Sequence, residues 1–333
     1  MNPPRVVAWE VTKKCNLACR HCKADAAALN LRFGNDRQRP ELSTGEGLAL
    51  IDDVAPFHPL LIVTGGEPLL RRDLETLIAH ASRSGVRTAL ATNGLLIGEQ
   101  RAQRLKACGL SAASVSIDGA DAETHDQARG VNGAYESALK AVKALSAAGL
   151  SVQVNTTVTK ANVSTLPSVS DMVRASGARA WHVFFLVPTG RGNVADCVPT
   201  REYFEALHWL ETLENAPNGF PLRPTCAPQY RRREGHKGCL AGLSYAFVAS
   251  DGVVQPCGYL PLNAGNVRRR RFEDIWQNSS VLKTLRAPSQ WNNACTTCVY
   301  GATCRGCRAR AFAVSGDFLG DDPYCGGMAP CTR

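Results

Sequence analysis

Cys15, Cys19 and Cys22 fall within one short stretch, Cys15-Asn16-Leu17-Ala18-Cys19-Arg20-His21-Cys22. An apolar, strand-like run, Val6-Val7-Ala8-Trp9-Glu10-Val11-Thr12, leads into it. A closed structural zinc site needs four ligands, and no fourth Cys or well-spaced His lies nearby. His21, between the last two thiols, is badly placed to ligate with them. Three thiolates on one loop instead suit a 4Fe-4S cluster with one iron left open to a small chelating molecule. A zinc site or a plain ferredoxin-type site is the alternative.

A second set of thiols lies toward the C-terminus. Cys239 precedes Gly252-Val253-Val254-Gln255-Pro256-Cys257, then come Cys295, Cys298, Cys304 and Cys307 in a C-x2-C-x5-C-x2-C run, and Cys325. Such grouping reads as metal ligation rather than a disulfide framework. Cys108, Cys197 and Cys331 match no motif, and Cys108, on a helical face, reads as a small core residue.

The 333 residues leave room for one large domain and a small one. With most of its 14 cysteines grouped as metal ligands, no signal peptide and no run of about 18 apolar residues, a reducing cytoplasm without a membrane span is expected. Net charge is +9, with runs at Arg231-Arg232-Arg233 and Arg268-Arg269-Arg270-Arg271. A basic balance suits an acidic partner. No zinc-finger, RNA-recognition or homeodomain pattern is present and aromatics make up only 7%, which argues against nucleic acid. A polycarboxylate small molecule, or a solvated basic face, fits better.

The elements that must carry these residues alternate. Strand patterns at 6–12, 60–64, 87–92, 112–118, 151–158 and 180–187 are separated by helical stretches Thr44–Val54, Asp73–Ser84, Glu99–Cys108, Tyr135–Ala148 and Val163–Ala175. Repeated βα units with right-handed crossovers make a parallel sheet. In the fifth strand Gln153, Asn155, Thr157 and Thr159 share one face, and Val152, Val154 and Val158 the other. The polar face is expected to look into a lumen, as do Glu10 and Thr12. The Gly-flanked Arg191, in Thr189-Gly190-Arg191-Gly192 after the sixth strand, suits a carboxylate clamp, or is a turn arginine in water. Thr64-Gly65-Gly66-Glu67-Pro68, Ala91-Thr92-Asn93-Gly94 and Ser116-Ile117-Asp118-Gly119 all end strands. Glycines there let backbone approach a ligand closely.

C-x3-C-x2-C followed by a Gly-Gly-Glu strand end resembles the radical SAM enzymes, and the later cysteines resemble a SPASM domain, which binds auxiliary 4Fe-4S clusters. The resemblance implies an α/β fold: a partial (β/α)6 barrel at 1–199, a bridging segment at 200–238 carrying a helix Glu202–Leu213 and a proline-rich crossing, and a SPASM domain at 239–333. It implies that S-adenosylmethionine binds the open iron, with Gly65, Gly66 and Glu67 at its amino group. Asn93 and Ser116 or Asp118 fall near its ribose and Arg129 near its carboxylate. His21, Asn155 and Leu186 join the cofactor contacts. By motif match Cys295, Cys298, Cys304 and Cys325 hold one auxiliary cluster. Cys239, Cys257 and Cys307 hold another, with Cys226 a possible fourth ligand. The family pattern has three residues between the last two cysteines of the run, where this chain has two.

Ala8-Trp9-Glu10-Val11-Thr12, the Val152–Thr159 strand, Phe185–Gly192, Thr225–Tyr230, Val254–Tyr259 and Cys304-Arg305-Gly306-Cys307-Arg308-Ala309-Arg310-Ala311 resemble the alternative haem-synthesis branch. The resemblance implies oxidative decarboxylation of iron-coproporphyrin III propionates to vinyl groups. A 5′-deoxyadenosyl radical would take the hydrogen and an auxiliary cluster the surplus electron. Arg191 and Cys226 are the residues assigned to the reaction itself, and a flavodoxin or ferredoxin is the expected electron donor. Sibling enzymes act on didecarboxysirohaem or the haem d1 precursor. A SPASM peptide maturase is the second reading, set back because the short run ahead of Cys15 leaves no room for a leader-binding domain. A noncatalytic cluster carrier is the third, and it would not need the Gly-Gly-Glu turn or a polar lumen.

Overall fold

The computed structural model describes residues 3–28, 40–230, 238–291 and 293–325. The Arg231-Arg232-Arg233 run and Cys331 lie outside the described residues. The strands are β1 (Val6–Glu10), β2 (Lys14–Cys15), β3 (Ala27–Ala28), β4 (Leu60–Thr64), β5 (Arg87–Thr92), β6 (Ala112–Ser116), β7 (Ser151–Val158), β8 (Ala180–Phe185), β9 (Leu222–Thr225), β10 (Tyr245–Val248), β11 (Val253–Gln255) and β12 (Gly265–Asn266). The α-helices are α1 (Thr44–Val54), α2 (Leu74–Arg83), α3 (Glu99–Ala107), α4 (Ala122–Arg129), α5 (Ala134–Ala147), α6 (Leu166–Ala175), α7 (Thr200–Asn215), α8 (Phe272–Asn278), α9 (Ser280–Arg286) and α10 (Arg308–Ser315).

Local sequence accounts for these elements. Ser43 and Glu46 form a reciprocal capping box that starts α1. Leu74, Leu77, Ile78 and Ala81 give α2 one buried stripe. Along β7 the even-numbered residues Val152, Val154, Thr156 and Val158 are buried against helices, while Gln153, Asn155 and Thr157 are half-open. The polar face expected from the sequence is thus the less covered one.

The strands line up in the order β12-β11-β10-β1-β4-β5-β6-β7-β8-β9. The expected six units, β1 and β4 to β8, run parallel in chain order. Two further parallel strands flank them, β9 beside β8 and β10 beside β1. The row stays open, so it is a partial barrel with extended edges. The bridging segment is therefore more than a crossing, because it supplies an edge strand. The sequence hides β9 because Pro221 and Pro224 argue against a central strand, and an edge tolerates them. β10 brings the cysteine-rich region onto the same sheet as the cluster loop. No helix among the described residues is long and apolar enough to cross a membrane.

Candidate active site and metal centres

The cluster loop leaves the C-terminal end of β1 and passes over the sheet. Each of its three thiols faces a donor: Leu17 N–H donates to Cys15 Sγ at 3.4 Å, Ala26 N–H to Cys22 Sγ at 3.5 Å and Arg129 Nη1 to Cys19 Sγ at 3.8 Å. Burial pushes the Cys15 thiol up to about 11, and burial also raises Cys19, against the pull of Arg129. Thiols buried this way ionise when a metal takes their charge. Among the described residues, no three His, Cys, Asp or Glu side chains are placed to hold a single metal ion. The loop offers separated sulfur acceptors, a donor set that fits a cuboidal iron-sulfur cluster.

Gly65 and Gly66 are glycine for a reason the sequence does not reveal. A Cβ on Gly66 would sit 2.3 Å from Lys14 O, and one on Gly65 would sit 2.6 Å from Thr12 O. Gly66 N–H donates to Thr12 O and Glu67 N–H to Lys14 O, both at 2.7 Å. The turn is zipped to the chain entering the cluster loop, so the close approach is first of all backbone to backbone. Glu67 is fully buried. Its carboxylate accepts from Leu69 N–H, Thr92 Oγ1 and Asn93 N–H at 3.1, 2.8 and 2.9 Å, tying the end of β4 to the end of β5. Burial outweighs these bonds and pushes it up to about 7. Asn93 continues the tie, donating from Nδ2 to Asn16 Oδ1 of the cluster loop at 2.7 Å.

A charged network lies at the end of β6. Asp118 Oδ2 is 2.8 Å from Arg129 Nη2 and 3.2 Å from His21 Nε2, while Oδ1 accepts from Thr157 N–H at 2.8 Å. Burial opposes ionisation of Asp118, but Arg129 and His21 overcome it and hold the carboxyl well below its usual range. His125 Nδ1 accepts from Asp118 N–H at 3.0 Å, and burial, then Arg129, lower its pKa to about 4. His21 thus links the cluster loop to Asp118 by its ring nitrogen. Ser116 pairs in register with Asn155, whose Oδ1 accepts from Gln153 Nε2 at 3.0 Å. Gln153 Nε2 also meets His182 Nδ1 at 3.2 Å. Leu186 is buried under Gly192.

Arg191 departs from the expected carboxylate clamp. Its Nε donates to Cys19 O at 2.9 Å and its Nη1 to Ala26 O at 2.9 Å, with Asp25 Oδ1 at 3.3 Å. Its backbone N–H donates to Cys22 O at 3.0 Å. A Cβ on Gly190 would fall 2.3 Å from that same oxygen. Gly190-Arg191 is a strap across the cluster loop. Spacing shows a Gly-flanked arginine, but not that loop carbonyls wait for it.

Two residues escaped the sequence reading. Lys23 directly follows the third thiol, and its Nζ stands over the rings of Phe247 at 4.5 Å and Tyr259 at 5.2 Å. Glu10, 5% exposed and raised by burial against the field of Lys23, keeps Oε1 without a hydrogen bond. The other is His125, carried by α4. That helix buries only His125 and Arg129, so it shows no apolar period; its signals were Asp121 as N-cap and Gly130 as C-cap.

In the C-terminal region Cys226, Cys239 and Cys257, all half-buried, interact with the buried Cys307. The Cys226 and Cys307 thiols share a hydrogen bond; with burial it raises Cys226 well above the thiol range, while it lowers Cys307. Cys295 falls within the field of Cys298 and Cys304. Gln229 Nε2 donates to Cys325 Sγ at 3.7 Å.

Family models bear on this arrangement: one for the radical SAM superfamily matches residues 9–171, and one for the iron-sulfur cluster-binding SPASM domain matches 239–299. The chain is similar to the AdoMet-dependent heme synthase of Methanosarcina barkeri, 42% identical over 97% of this chain and 97% of that one. The AdoMet-dependent heme synthase of Oleidesulfovibrio alaskensis is 40% identical, over 96% and 87%. The Fe-coproporphyrin III synthase of Methanosarcina barkeri is 33% identical, over 96% and 87%. In fold the chain is similar to Streptococcus suis SuiB bound to S-adenosylmethionine, with TM-score 0.78 at 16% identity over 97% of this chain and 77% of that one. The chain belongs to the radical SAM superfamily and carries a SPASM domain. It is an enzyme whose cofactors are a 4Fe-4S cluster, S-adenosylmethionine and auxiliary iron-sulfur ligation.

Proposed function

We propose that this chain is an AdoMet-dependent heme synthase that converts propionates of iron-coproporphyrin III to vinyl groups, giving haem b. The observation that carries this reading is the end-to-end similarity to enzymes of that name. Each conversion removes CO2 and two hydrogens from a propionate. When bound, the clusters and S-adenosylmethionine supply hydrogen removal from an unactivated carbon and a place for the electron left behind.

The residues of this chain position that chemistry. Cys15, Cys19 and Cys22 hold the first cluster, with Arg191 bracing their loop. Gly65, Gly66, Asn93, Ser116, Asp118 and Asn155 from the strands, with Arg129 from α4, line the site assigned to S-adenosylmethionine. Lys23 takes the carboxylate-facing role first given to Arg191. Its ammonium makes no hydrogen bond or ion pair with a described residue, and it lies where the loop meets the SPASM region. A charge-assisted bond to a propionate there is worth roughly 1.5–3 kcal/mol. Cys226, Cys239, Cys257 and Cys307 form one auxiliary ligand set; Cys295, Cys298, Cys304 and Cys325 form the other. A flavodoxin or ferredoxin supplies the electrons, and thiolate clusters suit a cytoplasmic setting.

Anaerobic incubation with S-adenosylmethionine, a reductant and iron-coproporphyrin III, read by mass spectrometry, tests the reading. Successive losses of CO2 plus two hydrogens are expected. Turnover of didecarboxysirohaem instead would move the enzyme to the sibling branch.

A further inference from the structure

The polar face of β7 continues across two more strands. Ser116, Asn155, His182 and Arg223 are register partners on the neighbouring parallel strands β6, β7, β8 and β9. Such partners share a face of the sheet, so the four side chains make one row on its less covered side. The alternate positions Trp181 and Leu222 also pair, and both are buried on the other side, where Trp181 meets Trp209 of α7 at 6.4 Å. Along the row Ser116, Asn155 and His182 are half-buried and Arg223 is exposed.

The outer end of the row offers donors. Gln153 Nε2 lies 3.0 Å from Asn155 Oδ1 and 3.2 Å from His182 Nδ1. An amide nitrogen only donates, so Nδ1 accepts and the imidazole proton sits on Nε2. The Arg223 guanidinium beside it makes no hydrogen bond or ion pair with a described residue. A guanidinium fork next to an N–H suits a carboxylate.

Distance decides which carboxylate. The row begins at Ser116, in the site assigned to S-adenosylmethionine. Arg223 stands three strand spacings away, about 14 Å along the sheet at about 4.8 Å each. An arginine side chain does not span that. In a reacting propionate a single methylene separates the carboxylate from the carbon that loses hydrogen, so both belong at the Ser116 end. Conversion to haem b leaves the propionates on one side of the ring untouched. We infer that Arg223, with the Nε2–H of His182 beside it, anchors a propionate that the reaction leaves intact, and so fixes which side of the porphyrin faces the radical. The inference deepens the heme-synthase reading and rests on it.

A charge on an edge strand also deters pairing with a second chain, and the variants are chosen to separate the two roles. Full-length parent, Arg223→Gln and Arg223→Glu, with clusters reconstituted anaerobically, are titrated with iron-coproporphyrin III and with haem b and followed by the Soret band. Arg223→Gln is expected to weaken both porphyrins about tenfold to a hundredfold, because both carry the anchored propionate. Binding of S-adenosylmethionine is expected to stay at the parent's level. Arg223→Glu keeps an edge charge but repels a carboxylate, and is expected to bind both porphyrins no better than Arg223→Gln. Parent-like affinity in Arg223→Gln, or in Arg223→Glu, overturns the inference. Weakening of iron-coproporphyrin III alone would place Arg223 at a reacting propionate and also overturns it, as does an equal loss of S-adenosylmethionine binding. Parent protein that binds neither porphyrin overturns the heme-synthase reading itself, and the inference with it.

Discussion

Arg129 joins two parts of the site, ion-pairing Asp118 Oδ2 at 2.8 Å through one nitrogen and reaching Cys19 Sγ at 3.8 Å through another. Both partners of the ion pair are buried, at 8% and 1% exposed. The geometry makes α4 a bracket between the cluster loop and the end of β6.

Removing one member of that pair should cost more than removing both. Arg129→Met leaves a buried carboxylate with only His21 and the Thr157 N–H facing it, a loss of roughly 3–5 kcal/mol for breaking a buried pair. Adding Asp118→Asn should restore part of it. Urea denaturation of the apoprotein measures the difference. A double variant no more stable than Arg129→Met would show that the pair does not act as a unit.

Arg191 and Lys23 should divide what a single clamp was expected to do. Arg191→Ala removes two donors to loop carbonyls and is expected to lower iron retention and cleavage of S-adenosylmethionine, with porphyrin affinity little changed. Lys23→Met is expected to weaken porphyrin binding about tenfold to a hundredfold while iron stays. Iron assay and Soret titration read the two effects. The reverse pattern would return the clamp to Arg191.

The βα units were legible because the strands are short apolar runs, or alternate polar and apolar as β7 does, with helical stretches between them. The thiols were legible by spacing alone. What stayed hidden was contact between segments distant in sequence. Arg191 and Cys19 are 172 residues apart, and no local pattern announces their bond. Gly66 reads as room for a ligand, yet its missing Cβ makes room for Lys14 O. α4 was invisible because its inward face is His125 and Arg129, polar residues buried for each other and for Asp118 rather than for a core.

His182 gives a pH signature. Burial, then Arg223, lowers its pKa to about 4, against an ordinary value of 6.5. The unfolded chain therefore takes the proton first, and His182 weakens the fold as pH falls from 6.5 toward 4. By pH 5 that is roughly 2 kcal/mol. His182→Gln keeps an acceptor for Gln153 and cannot titrate. Its stability relative to the parent apoprotein should rise on going from pH 7.5 to pH 5 in urea titrations. A constant difference would mean that His182 is protonated as easily in the fold as outside it.

Cys226 follows β9 in the left-handed region, at φ 57°, where a residue with a Cβ is strained by roughly 1–2 kcal/mol. The turn that follows carries Ala227-Pro228, and Arg310 donates to the Cys226 carbonyl, so the thiol is held against Cys307 from both sides. That placement sets Cys226 beside Cys307, as the proposed four-thiol set requires. Cys226→Ser preserves size and the turn but offers a poor ligand for iron. Iron per chain is then expected to fall by one cluster, with the first cluster still cleaving S-adenosylmethionine. Cys108→Ser, on α3's C-terminal cap and away from every thiol group, is the control and should keep full iron. Iron content and electron paramagnetic resonance of the two variants decide it. A Cys226→Ser protein with the parent's iron and spectra would leave Cys239, Cys257 and Cys307 as a three-thiol site.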